Sequence, residues 1–92
     1  MPVVRFRLGQ MVATPGALAA MERNQTQPLT LLARHQAGEW GDLDSEDVAE
    51  NEYSLERGLR LPSGYTLLDG TRIWIITEAD RSSTCILLPD EY

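Results

Sequence analysis

The stretch 65–88, YTLLDGTRIWIITEADRSSTCILL, reads as a three-stranded antiparallel meander. Its β-branched and aromatic residues gather into short runs. Asp69-Gly70 lies between the first two runs, a pair suited to a two-residue type I′ hairpin because both central residues need φ > 0. The spacing predicts strands over 65–68, 71–78 and 83–88, with EADRS (78–82) turning the second into the third. Alternation across the Asp69-Gly70 turn puts Tyr65, Leu67, Arg72, Trp74 and Ile76 on one face, and Thr66, Leu68, Thr71, Ile73 and Ile75 on the other. Both faces carry apolar residues, so the one that helices leave bare is either screened by loops or used for self-association.

Upstream of the meander, VVRFRL (3–8) alternates well enough for a fourth strand, with Val4, Phe6 and Leu8 inward. Thr14-Pro15-Gly16 opens a helix over about 15–23, with Thr14 as N-cap and Pro15 where a missing N–H costs nothing. Thr26 and Pro28 repeat that signal for a second helix over 28–37, whose apolar face is Leu29, Leu32 and Ala33, and Gly38 stops it. Trp40 and Leu43 then plug the core. Asp44 or Ser45 caps a third helix over 45–57, with Glu46 and Asp47 in its first turn, Arg57 in its last and Gly58 as its stop. A wheel of that helix sets Val48, Ala49, Tyr53 and Leu55 against Glu46, Asp47, Glu50 and Ser54. Glu52 falls within the apolar arc, which demands partial exposure or an arginine partner, Arg72 or Arg34. The order is β-α-α-α-β-β-β: one α+β domain over 1–92, with three short helices on one face of a small antiparallel sheet.

The chain of 92 residues carries a net charge of −6, with 14 acidic and 8 basic residues and a single cysteine. That size suits one core. The lone Cys85 has no partner for an internal disulfide, the start MPVVR is followed by no apolar run of signal-peptide length, and no stretch approaches a membrane span. A cytoplasmic, soluble protein is therefore expected. The basic residues are all arginine and scattered, which argues against direct contact with a nucleic-acid backbone. The acids are clustered: Glu39, Asp42, Asp44, Glu46, Asp47, Glu50, Glu52 and Glu56 lie in a segment without a single Lys or Arg.

Catalytic chemistry finds little support in these residues. His35 has no Ser or Cys near it in sequence to suggest a nucleophile pair, and Cys85 sits between strand residues Thr84 and Ile86 like a core thiol. The acidic run lacks the central Gly and terminal Glu of a calcium loop, so neither a metal nor a cofactor is expected. Thr14-Pro15-Gly16 at a helix start is too slight for a phosphate loop. The residues that remain are Asp42, Asp44, Glu46, Asp47 and Glu50 as a partner-binding surface, with Glu52, Trp40 and Trp74 as structural residues.

LGQMVATPGALAAME (8–22), LLARHQAGEWGDLDSEDVAENE (31–52) and DGTRIWIITEADRSSTCILLPDEY (69–92) together resemble a family of short proteins borne on bacterial plasmids and integrative elements. Its members are labelled plasmid-related proteins, sometimes type I restriction subunit M. The restriction label does not suit this chain, which is too short for a methyltransferase domain and lacks both a Gly-rich cofactor loop and an Asn-Pro-Pro-aromatic motif. The resemblance implies a mobile-element accessory protein, a context of anti-defence or plasmid maintenance. The leading expectation is a non-enzymatic protein-binding module that modulates a nucleic-acid-handling system such as restriction or CRISPR. The alternative is an antitoxin-like homodimer using the spare sheet face. A third reading, a small enzyme, would need Arg34, His35 and an acid such as Glu52 to converge in a pocket.

Overall fold

Gly70 decides how the sheet folds on itself. The computed structural model of the protein describes residues 3–92. Between residues 67 and 71 only Gly70 has a left-handed backbone, at φ 90°. The Gly70 N–H donates to the Leu67 carbonyl at 2.9 Å, and the Leu67 N–H donates to the Thr71 carbonyl at 2.8 Å. That is a turn closed by a single left-handed glycine, one residue longer than the expected type I′ hairpin. The added residue changes the register. Strands β2 (Leu61–Thr66) and β3 (Arg72–Thr77) pair antiparallel with Tyr65 opposite Ile73 and Thr66 opposite Arg72. Tyr65 therefore shares a face with Ile73 and Ile75, and not with Arg72, Trp74 and Ile76 as the shorter turn would require.

The N-terminal strand is displaced from its expected place. Val3–Leu8 is irregular, and the strand, β1, is Gln10–Ala13. Gly9 turns the chain at φ 66°, so close to Ser82 that a Cβ there would overlap the Ser82 backbone. Gln10 N–H then donates to Ser82 O at 2.9 Å. β1 runs parallel to β4 (Ser83–Leu87), which makes the four-stranded sheet, ordered β1-β4-β3-β2, mixed rather than purely antiparallel. The segment before Gly9 serves as a plug instead. Arg5 N–H donates to Gln36 O at 3.0 Å, Gln36 Nε2 donates to Phe6 O at 2.8 Å, and Phe6 is buried.

Three helices cover the inner face. α1 (Pro15–Arg23) is capped by Thr14 Oγ1, which accepts from Ala17 N at 3.1 Å. α2 (Pro28–Gln36) starts on Gln27 rather than Thr26, with no side-chain cap, and ends before Gly38 at φ 84°. α3 (Ser45–Arg57) is capped by Asp44 and stopped by Gly58 at φ 70°. Ala17, Ala20, Met21, Leu31 and Leu32 pack on Tyr65, Leu67, Ile73, Ile75 and Ile86 as one core. Phe6, Trp40 and Leu61 form a second, against Leu43, Val48 and Leu55.

The face that α3 buries differs from the wheel's expectation. Asn51 and Ser54 are its buried residues, while Ala49 and Tyr53 are exposed. Asn51 Nδ2 donates to Pro62 O at 2.6 Å, satisfying a carbonyl on the outer edge of β2 that no strand reaches. On the opposite side of the sheet a short 3-10 turn (Pro89–Glu91) crosses β3. Ile76 and Leu87 are buried there and the Trp74 ring meets Tyr92 at 5.7 Å, so much of the expected spare face is screened by the chain itself.

The two glycines have different reasons to be glycine, and mutation separates them. Gly70→Ala meets open space, so its cost is the left-handed backbone alone, about 1 kcal/mol. Gly9→Ala adds a clash with the Ser82 backbone and should cost clearly more in urea unfolding. Equal losses would contradict the close β1–β4 junction.

Candidate functional site

The five carboxylates singled out from the sequence lie together on the approach to α3 and its first two turns, and all five are exposed. Gly41, at φ 79°, bridges to Gly64, so that Asp42 N–H donates to Gly64 O at 2.7 Å and Gly64 N–H donates to Trp40 O at 3.1 Å. This anchors the loop to the edge of β2, where Asp42 Oδ2 accepts from Thr66 Oγ1 at 2.6 Å. Asp44 Oδ1 accepts from Asp47 N at 2.9 Å as N-cap. Glu46 and Asp47 occupy the first turn, where the positive end of the helix dipole favours them. Glu50 stands four residues beyond Glu46, on the same side of the helix.

Asp47 and Glu50 form one wall of a shallow cavity of about 360 Å³, whose other residues include Leu43, Asn51, Ser54, Arg60 and Pro62. Past Arg60 and Pro62 it continues as a second hollow of about 350 Å³ that reaches Arg72, Trp74 and Tyr92. Arg60 is already engaged, donating to Glu78 at 3.1 Å and to the Tyr92 hydroxyl at 2.8 Å. The ion pairs among the described residues are Arg5–Glu52, Arg23–Asp69 and Arg60–Glu78. None involves the five carboxylates.

Glu52 is held apart from that set. Its oxygens accept two hydrogen bonds from the Arg5 guanidinium, each 2.8 Å, and Oε2 also accepts from Trp40 Nε1 at 3.1 Å. The Arg5 hydrogen bond, followed by that of Trp40, lowers the Glu52 carboxyl to about 2. Its partner is thus Arg5, from the irregular N-terminal segment, and neither Arg72 nor Arg34. Arg34 lies over the Tyr65 ring, 4.7 Å from its centroid. Trp40 is buried in the second core, and Trp74 is half-buried against Tyr92 on the outer face. Arg34, His35 and Glu52 therefore point to three separate places.

His35 is the residue whose role sequence reasoning did not find. It is fully buried, where its Nδ1 meets Ser63 Oγ and its Nε2 lies 2.8 Å from Thr77 Oγ1. Thr77 Oγ1 is 2.7 Å from Thr84 Oγ1, which donates to the Leu8 carbonyl at 2.7 Å. A carbonyl can only accept, and with the imidazole neutral that sets every proton in the chain. Thr84 donates to Leu8, Thr77 to Thr84, the imidazole Nε2–H to Thr77, and Ser63 to Nδ1. The signal for burial was present in the spacing: Leu31, Leu32 and His35 fall on one helical face and are the buried residues of α2.

A serine hydroxyl directed at an imidazole is the arrangement of a nucleophile and its base, but here the third member is a threonine hydroxyl and not a carboxylate. His35 and Thr77 have no exposed surface, and Ser63 is 2 % exposed. The arrangement fixes a tautomer and joins α2 to three strands. Among the described residues, no group of three or more His, Cys, Asp or Glu could hold a metal ion, and no helix is long and apolar enough to cross a membrane. No protein-family model matches the chain, and no curated protein or solved structure matches it.

Burial, and then the charge of Arg81, lower the His35 imidazole to about 4 from its ordinary 6.5. Between those values the unfolded chain binds the extra proton. The stability held by neutral His35 is thus complete above pH 6.5 and is lost as pH falls toward 4, by roughly 3 kcal/mol in all. Glu52 adds a loss at lower pH, as the medium falls below its ordinary range toward 2. Denaturant titrations of the native protein should show a loss of stability already in the pH 6.5 to 4 window. His35→Gln should be less stable at pH 7 but nearly flat across that window. A native protein with no loss there would contradict a buried neutral imidazole.

Proposed function

We propose that the protein is a non-enzymatic protein-binding module whose acidic face, formed by Asp42, Asp44, Glu46, Asp47 and Glu50, docks on a basic surface of a nucleic-acid-handling partner. The observation that carries this reading is that five exposed carboxylates follow one another along the approach to α3 and its first two turns, and that none is in an ion pair among the described residues. A partner's cations can supply that pairing. A surface of that kind accelerates association and selects cationic grooves, at a strength that falls with added salt.

The nature of the partner follows from the same charge. Grooves that hold nucleic acid carry clustered arginine and lysine. A net-negative domain that fits such a groove competes with the nucleic acid for it. The resemblance to mobile-element proteins supports an accessory role in modulating host restriction or CRISPR machinery. The module needs no catalytic group for this, only a face that keeps its shape. That face is held by the Asp44 cap, the Gly41–Gly64 bridge and the Asn51–Pro62 contact.

Capture from a bacterial lysate tests the reading. The native protein should retain a nucleic-acid-binding complex that high salt releases and added DNA displaces. The fourfold variant Asp44→Asn, Glu46→Gln, Asp47→Asn, Glu50→Gln keeps a capping side chain at 44, so its circular dichroism should be native. Its capture of that complex should be lost. Undiminished capture by the folded variant would overturn the proposal.

A further inference from the structure

The two edges of the sheet are finished differently. The β2 edge is covered over Pro62–Gly64: Pro62 brings no N–H, its carbonyl takes the Asn51 amide, and Gly64 bonds to both Trp40 and Asp42. The β1 edge is open. Gln10 N–H donates to Ser82, just before β4, and Thr14 N–H donates to Ile86 of β4, and by the two-residue alternation Val12 faces β4 as well. The N–H and C=O groups of Met11 and Ala13 therefore point away from the sheet, where none of the described residues bonds them. Met11 is 52 % and Val12 45 % exposed. Proteins commonly blunt such an edge with charge, proline or a bulge, and Gln10–Ala13 has no charged residue and no proline.

We infer that β1 is a self-association edge, pairing antiparallel with β1 of a second copy of this chain across a twofold axis. The register is set by the backbone. Residues that exchange both hydrogen bonds in an antiparallel pair must both face outward, so Met11 and Ala13 of one copy pair with Ala13 and Met11 of the other. This register alone uses every outward group of both strands. It also places Val12 opposite its own symmetry mate at the axis, a β-branched cross-strand pair on the outer face.

Charge favours a second copy at this edge. Two chains of net charge −6 repel each other, and residues 8–21 contain no charged side chain of their own. Glu91 stands at the end of β1, where it accepts from Thr14 Oγ1 at 2.6 Å. Sheet order puts β1 at one end and β2, against which α3 packs, at the other. In the joined eight-stranded sheet the two β2 strands are seven spacings apart, roughly 34 Å, beyond the Debye length of about 8 Å at physiological salt. Both acidic faces remain free. A four-residue edge makes a small interface, so the dimer is weak and concentration-dependent.

Sedimentation equilibrium from about 1 µM to about 1 mM should show the native mass rising toward twice the monomer. Val12→Lys leaves the bonds to β4 intact and sets two cations face to face at the axis. It should stay folded by circular dichroism and need at least about tenfold more protein to dimerise. In a Cys85→Ser background, Val12→Cys should form an intermolecular disulfide on mild oxidation, since directly opposed residues at such a position have Cα atoms about 4.5 Å apart. Leu68→Cys, at the exposed tip of the β2–β3 turn, should cross-link far more slowly. A monomer across the whole range, a dimer indifferent to Val12→Lys, or equal cross-linking at 12 and 68 would each overturn the inference.

Discussion

A single line of hydrogen bonds crosses the interior from the Leu8 carbonyl through Thr84, Thr77 and His35 to Ser63. It links the N-terminal segment, β4, β3, α2 and β2. Thr84, Thr77, His35 and Ser63 are buried, and Leu8, where the line ends, is half-buried. Hydrophobic contact alone would leave the sheet free to slide under the helices, because Ile73, Ile75 and Ile86 offer Leu31 and Leu32 a surface of nearly uniform chemistry. The polar line removes that freedom. A slip of one residue in β3 would turn Thr77 outward and leave the imidazole without an acceptor, a cost of about 1 to 3 kcal/mol for an orphaned buried donor.

The rest of the architecture is arranged around this line. Phe6 meets the His35 ring edge-on at 5.2 Å, Trp40 does so at 5.7 Å, and the two stack on each other at 6.1 Å, so the imidazole is walled by aromatic carbon on the side facing α3. Arg5 and Glu52 then clamp the N-terminal segment to α3, with Trp40 as a third partner. The acidic face gains its fixed position indirectly. α3 is held through Asn51 to β2 and through Glu52 to the plug, and the carboxylates of its first turns are carried on that frame.

The element order and most helix ends were legible because they rest on local chemistry. Thr14-Pro15, Asp44 and Gly58 act within a few residues of themselves and need no tertiary partner. What was not legible depended on distant backbone. VVRFRL alternates like a strand, yet β4 takes residues 10–13 because Gly9 can turn against Ser82. Asp69-Gly70 is compatible with either of two hairpins that differ by one residue, and that residue reverses which side of β3 is buried. The wheel set Ser54 on the polar side of α3, and the otherwise unpaired carbonyl of Pro62 is the reason Asn51 is buried. The carboxylates themselves could be picked from sequence by charge alone. Their shared surface, and the withdrawal of Glu52 from it, required Arg5 and Trp40 to be placed.

The direction of the protons in the buried line is the most demanding consequence of the account, since one terminal carbonyl is held to dictate it. Nitrogen-15 NMR of the imidazole measures it directly. The ring should be neutral at pH 6, with its proton on Nε2 and a bare, accepting Nδ1. A ring protonated on Nδ1 instead, or an imidazolium at that pH, would contradict it.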